Sequence, residues 1–350
     1  MRPDFQHLMQ EAARLTRSGH LTEATAVIQS ALAQAPAAPR PQPPPTSSEG
    51  IVLDIEAHPV VAPTDPQKAV SGASCLRTPT GAFVDGRSQG RTFKLYIPPQ
   101  AGERPLPLVV MLHGCTQDPD DFAAGTRMND AAQLQGCFVL YPAQSTKANP
   151  QRCWNWFKHS HQQRGRGEPA LLAAMTREIM SQHGIDPARV YVAGLSAGGA
   201  MAAILGDAYP DLFAAVGVHS GLAAGSAKDL PSALAAMRQG AAAAGVPQSG
   251  VATIVFHGDA DTTVHPQNGQ HVLSASAGPA LAPEVDTHRG NNYTRTLHRD
   301  AQGRVRAEHW SVHGVGHAWS GGSNAGSYTA PAGPDATGEM LRFFLEHPLE

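Results

Sequence analysis

Gly194-Leu195-Ser196-Ala197-Gly198 sets a serine between glycines two residues to either side, directly after the apolar stretch Val190–Ala193 and before a run of small residues. A hydroxyl that attacks an acyl carbonyl must stand exposed on a tight, strained turn. Small flanking residues let a strand and the helix after it approach closely enough to make that turn. The first amides of that helix offer N–H groups to a developing oxyanion. The plainer alternative is a glycine-rich strand-to-helix turn whose serine only caps the helix.

Three further segments end on residues that such a nucleophile needs. His113-Gly114-Cys115-Thr116-Gln117 follows the apolar run Leu106–Leu112, where a loop can supply the second oxyanion donor. The expected donors are the N–H groups of Cys115 and Ala197, with Thr116 as the alternative to Cys115. His257-Gly258-Asp259-Ala260-Asp261 ends another strand-like run and carries two candidate acids. Asp259 begins a tight turn and can bond to backbone amides, whereas Asp261 lies deeper in the loop and can reach across to a base, so Asp261 is the expected acid. His313-Gly314-Val315-Gly316-His317 carries two candidate bases. His313 shares a strand face with His309 and Ser311 and reads as structural, while His317 follows two glycines on a loop and reads as the base. The resulting chain order is Ser196, Asp261, His317. It is the order of a serine acyl-transfer triad on an α/β-hydrolase scaffold, in which the acid fixes the tautomer of the histidine.

The aromatic residues Trp154, Trp156, Phe157 and Trp319 lie in loops near these segments. They are expected to line an aromatic cleft for an aryl or hydroxyacyl ester, the alternative being that they are core. The reaction needs no metal or organic cofactor. His159 and His161 are paired by spacing but read as a solvated loop. The four cysteines are Cys75, Cys115, Cys137 and Cys153, and none shows C-x-x-C spacing. Free thiols are the expectation in a reducing compartment. A bridge between Cys115 and Cys153 stays open, since both lie in the segments just described.

The elements that must position these residues follow from periodicity. Apolar or alternating stretches at Arg91–Ile97, Leu106–Leu112, Cys137–Tyr141, Val190–Ala193, Ala214–His219, Val251–His257, Arg295–His298 and Arg306–His313 read as strands. Helical spacing marks Pro169–His183, Ala197–Ala208, Gln267–Ser276 and Asp335–Glu346. Alternating strands and helices, with several strands apolar on both faces, predict an α/β fold whose mostly parallel sheet is flanked by helices. Chemistry in such sheets sits at the carboxyl ends of the strands, where each segment above falls. Residues 1–34 read as a small N-terminal helical hairpin, 35–70 as a Pro-rich linker, and 71–350 as the catalytic domain. One hairpin cannot bury its own face, so self-association or partner binding is expected of it.

Composition excludes some classes. The formal net charge is −3 and no long basic run appears, which argues against nucleic acid as a partner. No stretch reaches the roughly 18 apolar residues of a membrane span. The first residues mix charges into every turn and lack an apolar signal core, so the expected location is cytoplasmic, with an extracellular one left open.

The motifs LHGCTQ (Leu112–Gln117), RCWNWF (Arg152–Phe157), GLSAGGAM (Gly194–Met201), HGDAD (His257–Asp261) and GHAWSGG (Gly316–Gly322) together resemble the polyhydroxybutyrate depolymerase family of esterases, which is close to the feruloyl and acetyl-xylan esterases. The resemblance spans about residues 75–346. It implies a Ser-Asp-His esterase and supports Ser196, Asp261 and His317 one by one. Secreted depolymerases of this type carry a signal peptide and a polymer-binding domain, neither of which is seen here. Residues 222–250 are too short for a large lid, so an open site is expected. The leading expectation is a carboxylic ester hydrolase acting on hydroxyalkanoate oligomers or on feruloyl or aryl esters. The alternatives are a non-catalytic binding or granule-associated protein on the same scaffold, and a peptidase or acyltransferase with the same triad.

Overall fold

The computed structural model of the chain describes residues 81–240, 250–277, 284–290 and 292–349. The expected hairpin and linker (1–70), Cys75 and part of the 222–250 segment lie outside the described residues. In chain order the strands are β1 (Ala82–Ser88), β2 (Arg91–Ile97), β3 (Leu106–Leu112), β4 (Phe138–Pro142), β5 (Ile185–Leu195), β6 (Ala215–His219), β7 (Ala252–Gly258), β8 (Glu284–Arg289), β9 (Tyr293–Arg299), β10 (Val305–Val312), β11 (Trp319–Ser320) and β12 (Thr329–Ala330). The α-helices are α1 (Pro119–Thr126), α2 (Met128–Gln135), α3 (Gly167–Gln182), α4 (Ala197–Ala208), α5 (Leu230–Gln239), α6 (Gln267–Ala277) and α7 (Ala336–Leu345).

Ten strands form one sheet in the order β1-β2-β4-β3-β5-β6-β7-β10-β9-β8. The run from β4 to β10 is parallel throughout. Antiparallel ribbons finish both edges. The mostly parallel sheet flanked by helices that the pattern predicts is therefore present. Every residue of β3, β4, β6 and β7 is buried, as a parallel strand covered on both faces requires.

The period-2 alternation of β3 divides its side chains between two cores. Leu108, Val110 and Leu112 pack on one face with Leu172 and Met175 of α3 and Met201 and Leu205 of α4. Val109 and Met111 pack on the other with Phe122 of α1, Met128 of α2 and Phe343 and Phe344 of α7. A small separate sheet, β11 with β12, is parallel and sits in the loop that also carries His317. Among the described residues no helix is long and apolar enough to cross a membrane.

Several elements fall in stretches where periodicity predicts none. β1 and β8 are sheet-edge strands with largely polar sequences, and β1 is largely exposed, so their apolar period is weak. Helix α1 carries a signal in its cap instead: Asp118 accepts a hydrogen bond from Asp121 N, with Pro119 at the first helical position. Helix α5 has the same construction, with Asp229 accepting from Ser232 N and Pro231 in the first turn.

Candidate active site

Ser196 occupies the turn between β5 and α4 with φ 58° and ψ −118°. This conformation is costly for a residue with a Cβ, so the surroundings must enforce it. They do so by close approach. A Cβ at Gly194 would lie 2.7 Å from Leu112 O, and one at Gly198 would lie 2.6 Å from His113 O. The amide of Ser196 donates to His219 O at 2.9 Å, locking the turn to β6. Its hydroxyl makes no capping bond to α4, so the helix-cap alternative does not hold. The residue retains 9 % of its surface, enough to reach solvent.

Asp261 and His317 meet. The Nδ1 of His317 lies 2.7 Å from Asp261 Oδ2. The other carboxylate oxygen, Oδ1, accepts from the amides of Thr263 and Val264, both at 2.9 Å. Burial by itself would push this carboxyl up, but hydrogen bonding to His257 and His317 and the Val264 amide hold it well below the usual carboxylate range. His257 stands 3.5 Å from Asp261 Oδ2, but its nearer contact is Val264 O at 2.9 Å, so it steadies the loop more than it shares the charge. Because an ionised carboxylate only accepts, His317 carries its proton on Nδ1, which leaves Nε2 as a base.

The rejected candidates pair with each other. His313 Nδ1 lies 2.9 Å from Asp259 Oδ2, and Gly314 N donates to Asp259 Oδ1 at 2.7 Å. The turn reading of Asp259 and the structural reading of His313 both agree with this arrangement.

The loop after β3, where an oxyanion donor is expected, is held on several sides. His113 Nε2 accepts from Gln144 N at 3.1 Å, so its Nδ1–H donates to Gly114 O at 2.8 Å. The ring is buried, and burial lowers its pKa, which keeps it neutral. Thr116 N donates to Gln151 O at 2.7 Å, which removes it as an oxyanion donor. Among the described residues the Cys115 amide has no such bond, and Ala197 N is the first amide of α4, with no carbonyl a turn behind it inside the helix. Cys115 and Cys153 form a disulfide across 38 residues. This corrects the expectation of free thiols for these two. Cys137 remains a free, buried thiol whose pKa burial pushes up to about 12.

The aromatic cleft needs correction. Trp154 and Trp319 are each 1 % exposed and Trp156 is 5 % exposed, so all three belong to the core. The Trp154 indole N–H donates to His113 O at 3.1 Å and that of Trp319 to Thr337 Oγ1 at 3.0 Å. A buried indole with its donor satisfied supports the loops from below and offers no free face. Phe157 is half-buried, and Tyr328 is 45 % exposed, with its hydroxyl 3.2 Å from Thr116 Oγ1 in the loop after β3.

His219 is a residue the sequence reading passed over. Its carbonyl takes the Ser196 amide, and its Nε2 accepts from Ser320 N at 2.9 Å in the loop that carries His317. Burial drives its pKa well below the ordinary value, and its ring stacks on Trp319 at 5.1 Å. Its position as the last residue of β6, next to β5, the strand that leads into Ser196, is the signal that would have marked it.

Comparison with known proteins gives the family and the fold. The sequence pattern of the family described as Esterase PHB depolymerase matches residues 91–285, more than half of the chain. Poly(3-hydroxyalkanoate) depolymerase C of Paucimonas lemoignei is 31 % identical over 227 residues, 60 % of this chain and 54 % of that protein. Feruloyl esterase B of Thermothelomyces thermophilus is 27 % identical over 273 residues, 71 % of this chain and 91 % of the relative. The chain spans about half the length of the curated depolymerases it matches. Among solved structures, an acetyl xylan esterase from Aspergillus awamori superposes with a TM-score of 0.61 at 21 % identity, covering 76 % of this chain and all of that one, which establishes the α/β-hydrolase fold. With the family pattern running from β2 through the Ser196 turn into β8, the chain belongs to the Esterase PHB depolymerase family.

Proposed function

We propose that the chain is a serine carboxylic ester hydrolase in which Ser196 is the nucleophile, His317 the general base and acid, and Asp261 the residue that orients the histidine. The observation that carries this reading is the 2.7 Å contact between His317 Nδ1 and the buried Asp261 carboxylate. It sets the imidazole in the one tautomer able to accept a proton at Nε2.

Catalysis then runs in two halves. His317 Nε2 takes the Ser196 proton as Oγ attacks the ester carbonyl carbon. The negative charge that develops on the carbonyl oxygen is met by the amides of Cys115 and Ala197. The tetrahedral intermediate collapses, His317 returns the proton to the departing alkoxide, and an alcohol leaves the acyl-enzyme. Water attacks next, giving its proton to His317, and a second collapse releases the carboxylic acid and restores the Ser196 hydroxyl. No step requires a metal ion.

The names of the relatives suggest the acyl partners: hydroxyalkanoate oligomers, as for the depolymerases, or feruloyl and other aryl esters. Exposed Tyr328 beside the oxyanion loop supports a substrate with an apolar or aromatic portion.

The test is hydrolysis of a p-nitrophenyl ester series, from acetate upward, by the wild type and Ser196→Ala. Removing a triad nucleophile leaves only residual catalysis, so a loss of roughly 10⁴-fold or more is expected. A folded Ser196→Ala protein that keeps wild-type turnover would overturn the assignment.

A further inference from the structure

A cavity of about 490 Å³ is walled in part by His113, at the start of the proposed oxyanion loop, and by Arg152; Ser196, Asp261 and His317 are not among its walls. Its lining is strongly charged. Lys94 is met by Asp85 and Asp120 at 3.2 and 3.1 Å, and Arg152 by Asp118 at 3.2 Å. Arg87, Arg91 and Lys147 have no carboxylate partner among the described residues. Five cationic side chains thus face three carboxylates, a surplus of two positive charges around one void.

Arg91 is the anchored member. Its Nη1 donates to Gln144 Oε1 at 2.7 Å. Gln144 is buried and is itself fixed by Glu168 Oε1 at 2.6 Å and Cys153 O at 2.9 Å. A guanidinium held at one nitrogen by a rigid neutral acceptor keeps its charge and its other N–H groups for a ligand. The same Gln144 donates its amide to His113 Nε2, so one buried residue joins the cationic wall to the oxyanion loop.

We propose that this cavity is a carboxylate-binding site that takes the free acid end of an oligomeric ester; the identification of that ligand rests on the ester-hydrolase reading. The three wall carboxylates argue against a multiply charged anion, whereas a single carboxylate fits the geometry of a forked guanidinium, and the surplus of two positive charges more than covers its one negative charge. The volume falls within the range of small-molecule sites, roughly 300–1,000 Å³. Ester hydrolysis also yields a carboxylic acid at each turnover, so the product is the second source of the same chemistry.

The experiment is calorimetric titration of Ser196→Ala, which binds without turnover, with a linear 3-hydroxybutyrate trimer as free acid and as methyl ester. The free acid is expected to bind about tenfold more tightly, the scale of one charge-assisted contact. That preference should shrink with added salt and disappear in the Arg91→Gln background. Lys147→Gln, at an exposed position, should weaken it in a protein whose fold is not in question. Equal affinity for the two ligands, or a preference that survives both substitutions, would overturn the proposal. Arg91-dependent binding of monomeric 3-hydroxybutyrate as tight as that of the trimer also supports a carboxylate site but assigns it to the product. Hydrolysis of p-nitrophenyl acetate by the wild type reports on the ester-hydrolase reading alone, so the two ideas fail separately.

Discussion

His313 Nδ1 lies 2.9 Å from Asp259 Oδ2, so a second acid–imidazole pair stands beside the 2.7 Å pair of His317 and Asp261. The two differ in burial, not in type. The Asp261 carboxylate is fully buried, while both side chains of the outer pair are nearly half exposed. The outer pair fastens the loop after β7 to the loop after β10, and Ala260 N donating to Val315 O at 3.1 Å adds a rung between them.

Asparagine at each position should separate these roles. Asp261→Asn is expected to lower kcat by roughly 10³- to 10⁴-fold, because the amide no longer holds His317 in the required tautomer. Asp259→Asn should stay within about tenfold of wild type, since an exposed carboxylate–imidazole contact contributes little energy and the loops keep their backbone rungs. Steady-state kinetics on p-nitrophenyl acetate compares the two. Equal losses would mean that the acid has been misassigned.

The disulfide ties the proposed oxyanion donor to the loop 144–153. Cys153→Ser should leave the fold in place, because the loop keeps the Thr116 N to Gln151 O and Gln144 N to His113 Nε2 bonds. A donor that is less well held stabilises the oxyanion less. Deleting such a donor costs about 10²- to 10³-fold in kcat, so loosening it should cost about tenfold. The drop should appear in kcat with KM little changed. Unaltered kcat in the substituted protein would separate the bridge from catalysis.

Tyr328 offers the exposed ring that the tryptophans do not. Tyr328→Ala should raise KM for p-nitrophenyl esters of longer acids by about three- to tenfold, the worth of one partly buried aromatic contact. Tyr328→Phe should restore most of it, since the ring, not the bond to Thr116, makes the contact. If both variants match wild type across the series, the ring lies off the substrate path.

The proposed triad could be drawn from the sequence because its members follow strands whose apolar runs are unambiguous, such as Val190–Ala193 and Val251–His257. Asp261 is preferred over Asp259 for its depth in the loop, and His317 over His313 for the two glycines before it; the structure pairs Asp261 with His317 and Asp259 with His313. What could not be read depends on contacts distant in sequence. Trp319 is core because it meets Phe122 and His219, nearly 200 and 100 residues away. Cys115 and Cys153 become partners only when two loops meet. The role of His219 comes from its carbonyl and ring facing different loops, which no motif encodes. Edge strands β1 and β8 have too little apolar period to stand out. For α1, by contrast, the Asp118-Pro119 cap was present and its meaning passed unread.

Acid stability follows from three poorly hydrated imidazoles. His113 and His219 are buried and His309 is half-buried in β10; loss of hydration lowers the pKa of each, that of His309 to about 4. In the unfolded chain each returns to about 6.5. A group whose folded pKa is depressed gives stability that is fully present above its unfolded value and is lost as the pH falls toward the folded one. Stability should therefore decline from about pH 6.5 downward, with a limiting slope near 1.4 kcal/mol per pH unit for each imidazole protonated only when unfolded. Asp261, also depressed, adds to the loss only below about pH 4, the ordinary aspartate value. Thermal melts between pH 7.5 and 4.5 should show Tm falling steadily, and His309→Phe, which removes one of the three imidazoles, should make the decline shallower even if its Tm at pH 7.5 is lower. A Tm that is flat across this range would mean that these histidines accept protons in place.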